Sequence, residues 1–97
     1  MAKTPEGKVK DAVRKLLTEH NVYHFMPPGM GFGRAGIPDI ICCMQGKFIA
    51  IECKAGKGKT TALQDRELNA IRAAGGTAMV VNEDNLIELK EKLQWMR

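Results

Sequence analysis

Apolar residues first recur at helical spacing in the opening stretch of the chain, where Val9, Val13, Leu16 and Leu17 line one face up to about Glu19. Thr4 followed by Pro5 supplies an N-cap and a first-turn proline, so this element is an amphipathic helix. Asn21 closes it, Val22 to Met26 forms a short strand, and Pro27 to Gly36 is a glycine-rich loop. The pattern then changes from a stripe to runs. Ile40 to Met44 and Phe48 to Ile51 are apolar on both faces, and Gln45-Gly46 makes a tight turn between them. These runs predict an antiparallel hairpin in the middle of a sheet covered on both sides. Thr60 or Thr61 caps a second helix that bears Leu63, Leu68 and Ile71 and ends at Gly75-Gly76. Thr77 to Val81 is a further strand, and Leu86, Leu89, Leu93 and Met96 mark a C-terminal helix with Trp95 near its end. The order is helix, three strands, helix, strand, helix, which predicts one α/β domain over residues 1–97 with a mixed sheet.

Composition narrows the function classes. The 97 residues carry 15 Lys plus Arg against 11 Asp plus Glu, a formal net charge of +4 that favours anionic partners such as nucleic acid. No run of about 18 apolar residues exists to span a bilayer, and Pro5, Glu6 and several lysines stand where an apolar signal segment would begin. A cytoplasmic protein is expected. Cys42, Cys43 and Cys53 are odd in number and lack paired C-x-x-C spacing, so they read as reduced, buried strand residues.

Two glycine patterns resemble nucleotide sites and fail on context. Gly31, Gly33 and Gly36 spell G-x-G-x-x-G, but a strand follows where a helix N-terminus would have to receive the pyrophosphate. A loop facing substrate and carrying Arg34 accounts for them better. Gly58-Lys59-Thr60 lies between a strand and a helix, but the first P-loop glycine would fall on Cys53. No nucleotide cofactor is expected. His20 and His24 flank the end of the first helix with no nucleophile or metal-ligand motif in view in the sequence, and they read as structural or surface residues.

The informative feature is charge at the ends of the central strands. Asp39 begins one strand, and Glu52 and Lys54 end the other. By alternation Glu52 and Lys54 share a face with Phe48 and Ala50, whereas Ile49, Ile51 and Cys53 point the other way. The hairpin turn brings Asp39 beside Glu52 on strands about 4.8 Å apart. Two converging carboxylates repel, and a hard divalent cation such as Mg²⁺ or Mn²⁺ relieves that repulsion while keeping several waters. Such a cation polarises a phosphodiester and activates water, with Lys54 placed to position that water or steady developing charge. The competing reading is an Asp39 turn cap and an exposed Glu52–Lys54 ion pair. Glu6 sits on the apolar face of the first helix, either as an inward carboxylate or as a complement to the helix dipole. Gln64 shares a helix face with Leu68 and Ile71, and Thr61-x-x-Gln64 is also a capping box. Lys57 and Lys59 follow the charged strand, and with Lys8 and Arg34 they are the candidate contacts to a nucleic-acid backbone.

Glu6, then Gly36-Ile37-Pro38-Asp39, then Glu52-Cys53-Lys54 thirteen residues after Asp39, then Gln64 on the next helix, together resemble the VRR-NUC domain. That is a branch of the PD-(D/E)XK nuclease superfamily, with a similar core order, and the resemblance covers about residues 4 to 82. It implies Asp39, Glu52 and the Cys53 backbone carbonyl as metal ligands and Lys54 as the catalytic lysine. Glu6 would support the metal directly or through water, and Gln64 matches the family's helical glutamine. The implied activity is a Mg²⁺- or Mn²⁺-dependent DNA endonuclease, structure-selective in the manner of a Holliday-junction resolvase, in replication, repair or recombination. The alternatives are a non-catalytic DNA-binding module of the same fold and a duplex nickase or restriction-type enzyme. Small free-standing relatives act as homodimers, and two equivalent sites suit symmetric cleavage of a four-way junction. Leu93, Trp95 and Met96 are a candidate dimer surface, with core packing as the other reading.

Overall fold

A computed structural model describes residues 3–28 and 34–96. Its elements follow the expected order: α1 (Pro5–Glu19), β1 (Tyr23–Phe25), β2 (Ile40–Met44), β3 (Lys47–Cys53), α2 (Ala62–Ala73), β4 (Thr77–Val81) and α3 (Leu86–Trp95). Gly31 and Gly33 of the glycine-rich loop lie outside the described residues.

Local chemistry sets the element boundaries. The Thr4 hydroxyl accepts from the Gly7 N–H at 3.0 Å and starts α1. At its other end Asn21 takes a left-handed conformation (φ 57°). The Val22 N–H then donates to Leu17 O and the Asn21 N–H to Thr18 O, so a Schellman closure turns the chain directly into β1. Gln45 (φ 52°) and Gly46 (φ 78°) both sit in the left-handed region, as a two-residue hairpin turn of the right twist requires. That turn fixes the β2/β3 register, with Met44 opposite Lys47 and Ile40 opposite Ile51.

The strands form one sheet in the order β1-β2-β3-β4, antiparallel except for the parallel pair β3/β4. Alternation sends Ile40, Cys42, Ile49, Ile51, Cys53 and Val81 to one face. There they join Val9, Val13 and Leu17 of α1 and Leu89 and Leu93 of α3 in a single buried cluster. Leu93 therefore belongs to the core and Met96 packs on its edge, whereas Trp95 is 87% exposed. Of the three residues proposed for a dimer surface, only Trp95 points freely to solvent.

The second face is covered only in part, which corrects two expectations. Helix α2 lies over the β3/β4 side, where Ala50 and Ala78 are buried, but Tyr23, Phe25 and Phe48 stay exposed and Cys43 with them. Twelve residues of helix do not reach across four strands, so the hairpin is not sandwiched throughout and Cys43 is not buried. On α2 itself Leu63 is largely exposed while Glu67 is buried, the reverse of what apolar character alone suggests.

Gly36 joins the loop to the sheet and shows why a glycine stands there. Its φ is +81°, and a Cβ would lie 2.4 Å from the Leu63 carbonyl oxygen and 2.8 Å from the Gln64 N–H nitrogen. Gly36→Ala is expected to lower the midpoint of thermal unfolding by at least ~5 °C, read by circular dichroism. Gly46→Ala, at a similar φ but with open space around it, should cost less. Equal losses at the two positions would show that backbone conformation, and not the close approach to α2, makes Gly36 necessary.

Candidate active site

Four elements converge at the end of β3 remote from the hairpin turn. Asp39 precedes β2 by one residue and lies across from Glu52, one step beyond the Ile40–Ile51 pair. Its Oδ2 accepts the Cys53 backbone N–H at 2.8 Å, which clamps the carboxylate to the end of β3. Glu52 Oε2 accepts from Gln64 Nε2 at 3.1 Å, and Lys54 Nζ lies 3.7 Å from the same oxygen. Glu52 Oε1 is buried with no hydrogen-bond partner.

Gln64 forms the capping box and also reaches Glu52. Its Oε1 accepts the Thr61 N–H at 2.9 Å and its own N–H donates to Thr61 Oγ1 at 3.2 Å, a complete capping box. The Nε2 end is thereby left pointing at Glu52. The cap fixes which way the amide faces, so helix initiation and orientation of the acid are one arrangement.

The electrostatics are those of two acids held together without enough positive charge. Glu52 is pushed up from 4.5 to about 8, first by burial, then by the charge of Asp39 and by the hydrogen bond that a proton on Glu52 would make to it, and also by Glu6. Lys54 works in the opposite direction and does not cancel them. An uncompensated oxygen such as Oε1 calls for a proton or a cation between the carboxylates. Glu6 is half-buried on α1, near enough to raise Glu52. Among the described residues, however, no three His, Cys, Asp or Glu side chains stand close enough to enclose an ion.

That donor set suits one kind of cation. Two carboxylates beside a buried oxygen without a donor suit a hard ion that retains water, such as Mg²⁺ or Mn²⁺, better than one that needs a full protein cage. Cys42 and Cys53 are buried on the opposite face and their thiols are pushed up to about 12 by burial, so both stay neutral.

Other candidate residues are placed differently. Lys57 and Lys59 are exposed on the loop after β3, and Lys8 is exposed on α1. Arg34 is spent in part on structure, since its guanidinium lies 3.0 Å from the buried Glu67 carboxylate on α2. His20 and His24 place Nδ1 at 3.0 Å from Leu16 O and 2.8 Å from Val22 O, in keeping with structural roles. One site residue was not singled out by sequence. Lys10 reaches Asp39 Oδ1 at 3.5 Å with its side chain only 28% exposed. The available signal was spacing: Lys10 lies four residues after the inward Glu6 and so one turn along the same face.

No family model matches the chain. Over 65 residues it is 37% identical to the candidate nuclease p44 of Acyrthosiphon pisum secondary endosymbiont phage 1, a stretch covering 66% of each protein. Among solved structures it is similar to Hjc of Archaeoglobus fulgidus, described as a Holliday junction resolvase from an archaeal hyperthermophile. That match has a TM-score of 0.53 and 26% identity and covers 73% of this chain and 63% of the other. The chain thus spans about two thirds of the length of each relative. It shares the α/β fold of the resolvase, with the mixed four-stranded sheet and flanking helices built above.

Proposed function

We propose that this chain is a divalent-metal-dependent DNA endonuclease of the PD-(D/E)XK superfamily, in its VRR-NUC branch, hydrolysing phosphodiester bonds in branched DNA. The observation that carries the reading is the pairing of Asp39 with Glu52 around an oxygen that has no donor, with Lys54 alongside. A purely structural ion pair would not leave that buried oxygen unsatisfied. The nuclease name of the phage relative and the resolvase fold support the same reading.

In this mechanism Asp39 Oδ1, Glu52 Oε1 and the Cys53 carbonyl would hold Mg²⁺ or Mn²⁺. The ion would supply Lewis-acid polarisation of the phosphate and a lower pKa for the attacking water. The chain's own groups do the rest. The Cys53 N–H fixes Asp39, and the Gln64 amide fixes Glu52, so neither acid reorganises when the substrate arrives. Lys54, 13% exposed at the end of β3, presents its ammonium to the attacking water and to the charge growing on the phosphate. Glu6 would support the ion directly or through water, and Lys57, Lys59 and Lys8 add backbone affinity.

Recognition is assigned to the basic surface and to a second copy of the chain, acting as one domain per subunit in the cytoplasm of a bacterium or a virus-infected cell. A two-fold dimer would present two equivalent sites to a four-way junction. The test is cleavage of duplex, flap and four-way junction DNA with Mg²⁺ or Mn²⁺, accompanied by native mass measurement. Faster, symmetric cleavage of the junction by a dimer is expected. Equal rates on plain duplex would point to a nickase or restriction-type enzyme. Binding without cleavage of any substrate would point to a non-catalytic DNA-binding module.

A further inference from the structure

Asp39 divides its two oxygens between unlike partners. Oδ2 is committed to a fixed backbone donor, the Cys53 N–H at 2.8 Å, which leaves Oδ1 as the oxygen a cation can take. Lys10 Nζ already lies against that oxygen, at 3.5 Å. From this geometry we infer that Lys10 is an exchangeable counter-ion of the site. Its ammonium holds Asp39 Oδ1 while no divalent cation is present, yields that oxygen when the cation binds, and passes to the phosphate undergoing hydrolysis. The inference rests on the nuclease reading above and adds a residue to it.

Charge and access favour exchange at this residue and not at Lys54. Lys10 stands against Asp39 Oδ1 and Lys54 against Glu52 Oε2, so a dication that takes Oδ1 must displace the ammonium of Lys10. The Asp39 side chain is 20% exposed and that of Glu52 only 3%, and Lys10 is likewise more open than Lys54. Lys10 is also built to move. Its helix is anchored one residue away by the buried Val9 and one turn further on by Val13, so the backbone stays fixed while the four-carbon stem swings. Lysine suits the task because it is a compact point charge that does not lock onto a carboxylate as the arginine fork does. The incoming phosphate supplies the anion that receives it.

Lys10→Met keeps the stem length and removes the charge, and Lys10→Arg keeps the charge. Mn²⁺ and Mg²⁺ binding are measured by isothermal titration calorimetry without DNA, and kcat and KM are measured on the best substrate of the panel. Lys10→Met should bind Mn²⁺ about tenfold tighter, because a unit charge next to a dication site has been removed. It should also lose kcat by at least tenfold, while Lys10→Arg, whose fork grips the carboxylate, should bind Mn²⁺ no tighter than wild type. A merely structural lysine would not give opposite signs for cation affinity and turnover. Unchanged or weaker Mn²⁺ binding in Lys10→Met would overturn the counter-ion role, and tighter binding with unchanged kcat would overturn the transfer to phosphate. Lys10→Gln serves the same measurements should Lys10→Met fail to fold. A wild type that cleaves no DNA would defeat the nuclease reading alone, since the calorimetry still decides whether Lys10 and the cation compete.

Discussion

Glu52→Gln is expected to abolish metal-dependent cleavage and at the same time raise the thermal stability of the metal-free protein. The two effects come from one cause. Glu52 is 2% exposed beside Asp39, and its carboxyl is pushed up to about 8, which means that the fold opposes its charge. A neutral amide of the same shape removes that opposition and can donate to Asp39, but it cannot serve as an anionic ligand for Mg²⁺ or Mn²⁺. The pH dependence follows with a definite sign. In the unfolded chain Glu52 ionises near 4.5 and in the fold near 8, so the wild type loses stability as pH rises from about 4.5 to about 8 and levels off above. Melting curves across that range should show this component in the wild type and lack it in Glu52→Gln, with the largest gain for the variant at pH 8 and above. A variant that melts lower than the wild type would mean that Glu52 holds the fold together instead of serving the site.

Lys54→Ala is expected to reduce cleavage by ~100- to 10,000-fold while leaving DNA affinity within a few-fold of wild type. Lys54 is largely buried at the end of β3, where it faces Glu52 Oε2 at 3.7 Å and not the open surface. It is therefore poorly placed for ground-state attraction to a DNA backbone and well placed for charge that develops at the reacting phosphate. Exposed Lys57 and Lys59 should behave in the opposite way, weakening binding in a salt-dependent manner with less effect on turnover. Single-turnover rates and fluorescence anisotropy on the same DNA separate the two behaviours. A Lys54→Ala protein that loses binding and cleavage in equal measure would assign the lysine to affinity instead of chemistry.

Much of this was legible in the residues because the signals were local. Thr4-Pro5, Asn21, the Gln45-Gly46 turn and the Thr61–Gln64 box each set a boundary through their own backbone chemistry. The hairpin turn in turn fixed the register that brings Asp39 to Glu52. Alternation on β3 then sufficed to separate Glu52 and Lys54 from the buried Ile49, Ile51 and Cys53. What escaped depended on partners distant in sequence. Lys10 joins the site only because α1 passes the end of β3 beside Asp39, and the burial of Glu67 depends on Arg34, 33 residues away, supplying its counter-charge. Cys43 sits in an apolar run that reads as buried from sequence. Its exposure follows from α2 leaving the β1 and β2 side of the sheet uncovered.

As proposed, Asp39, Glu52 and Lys54 form a hydrolytic centre working through a divalent cation. Its most direct test is a cleavage assay on a four-way DNA junction with wild-type protein, titrated with Mg²⁺ and with Mn²⁺ from a chelated start. The expected result is no cleavage under chelation, strand scission that rises and saturates with the cation, and no scission at any cation concentration with Glu52→Gln. Scission that persists under chelation, or that is undiminished in Glu52→Gln, would contradict it.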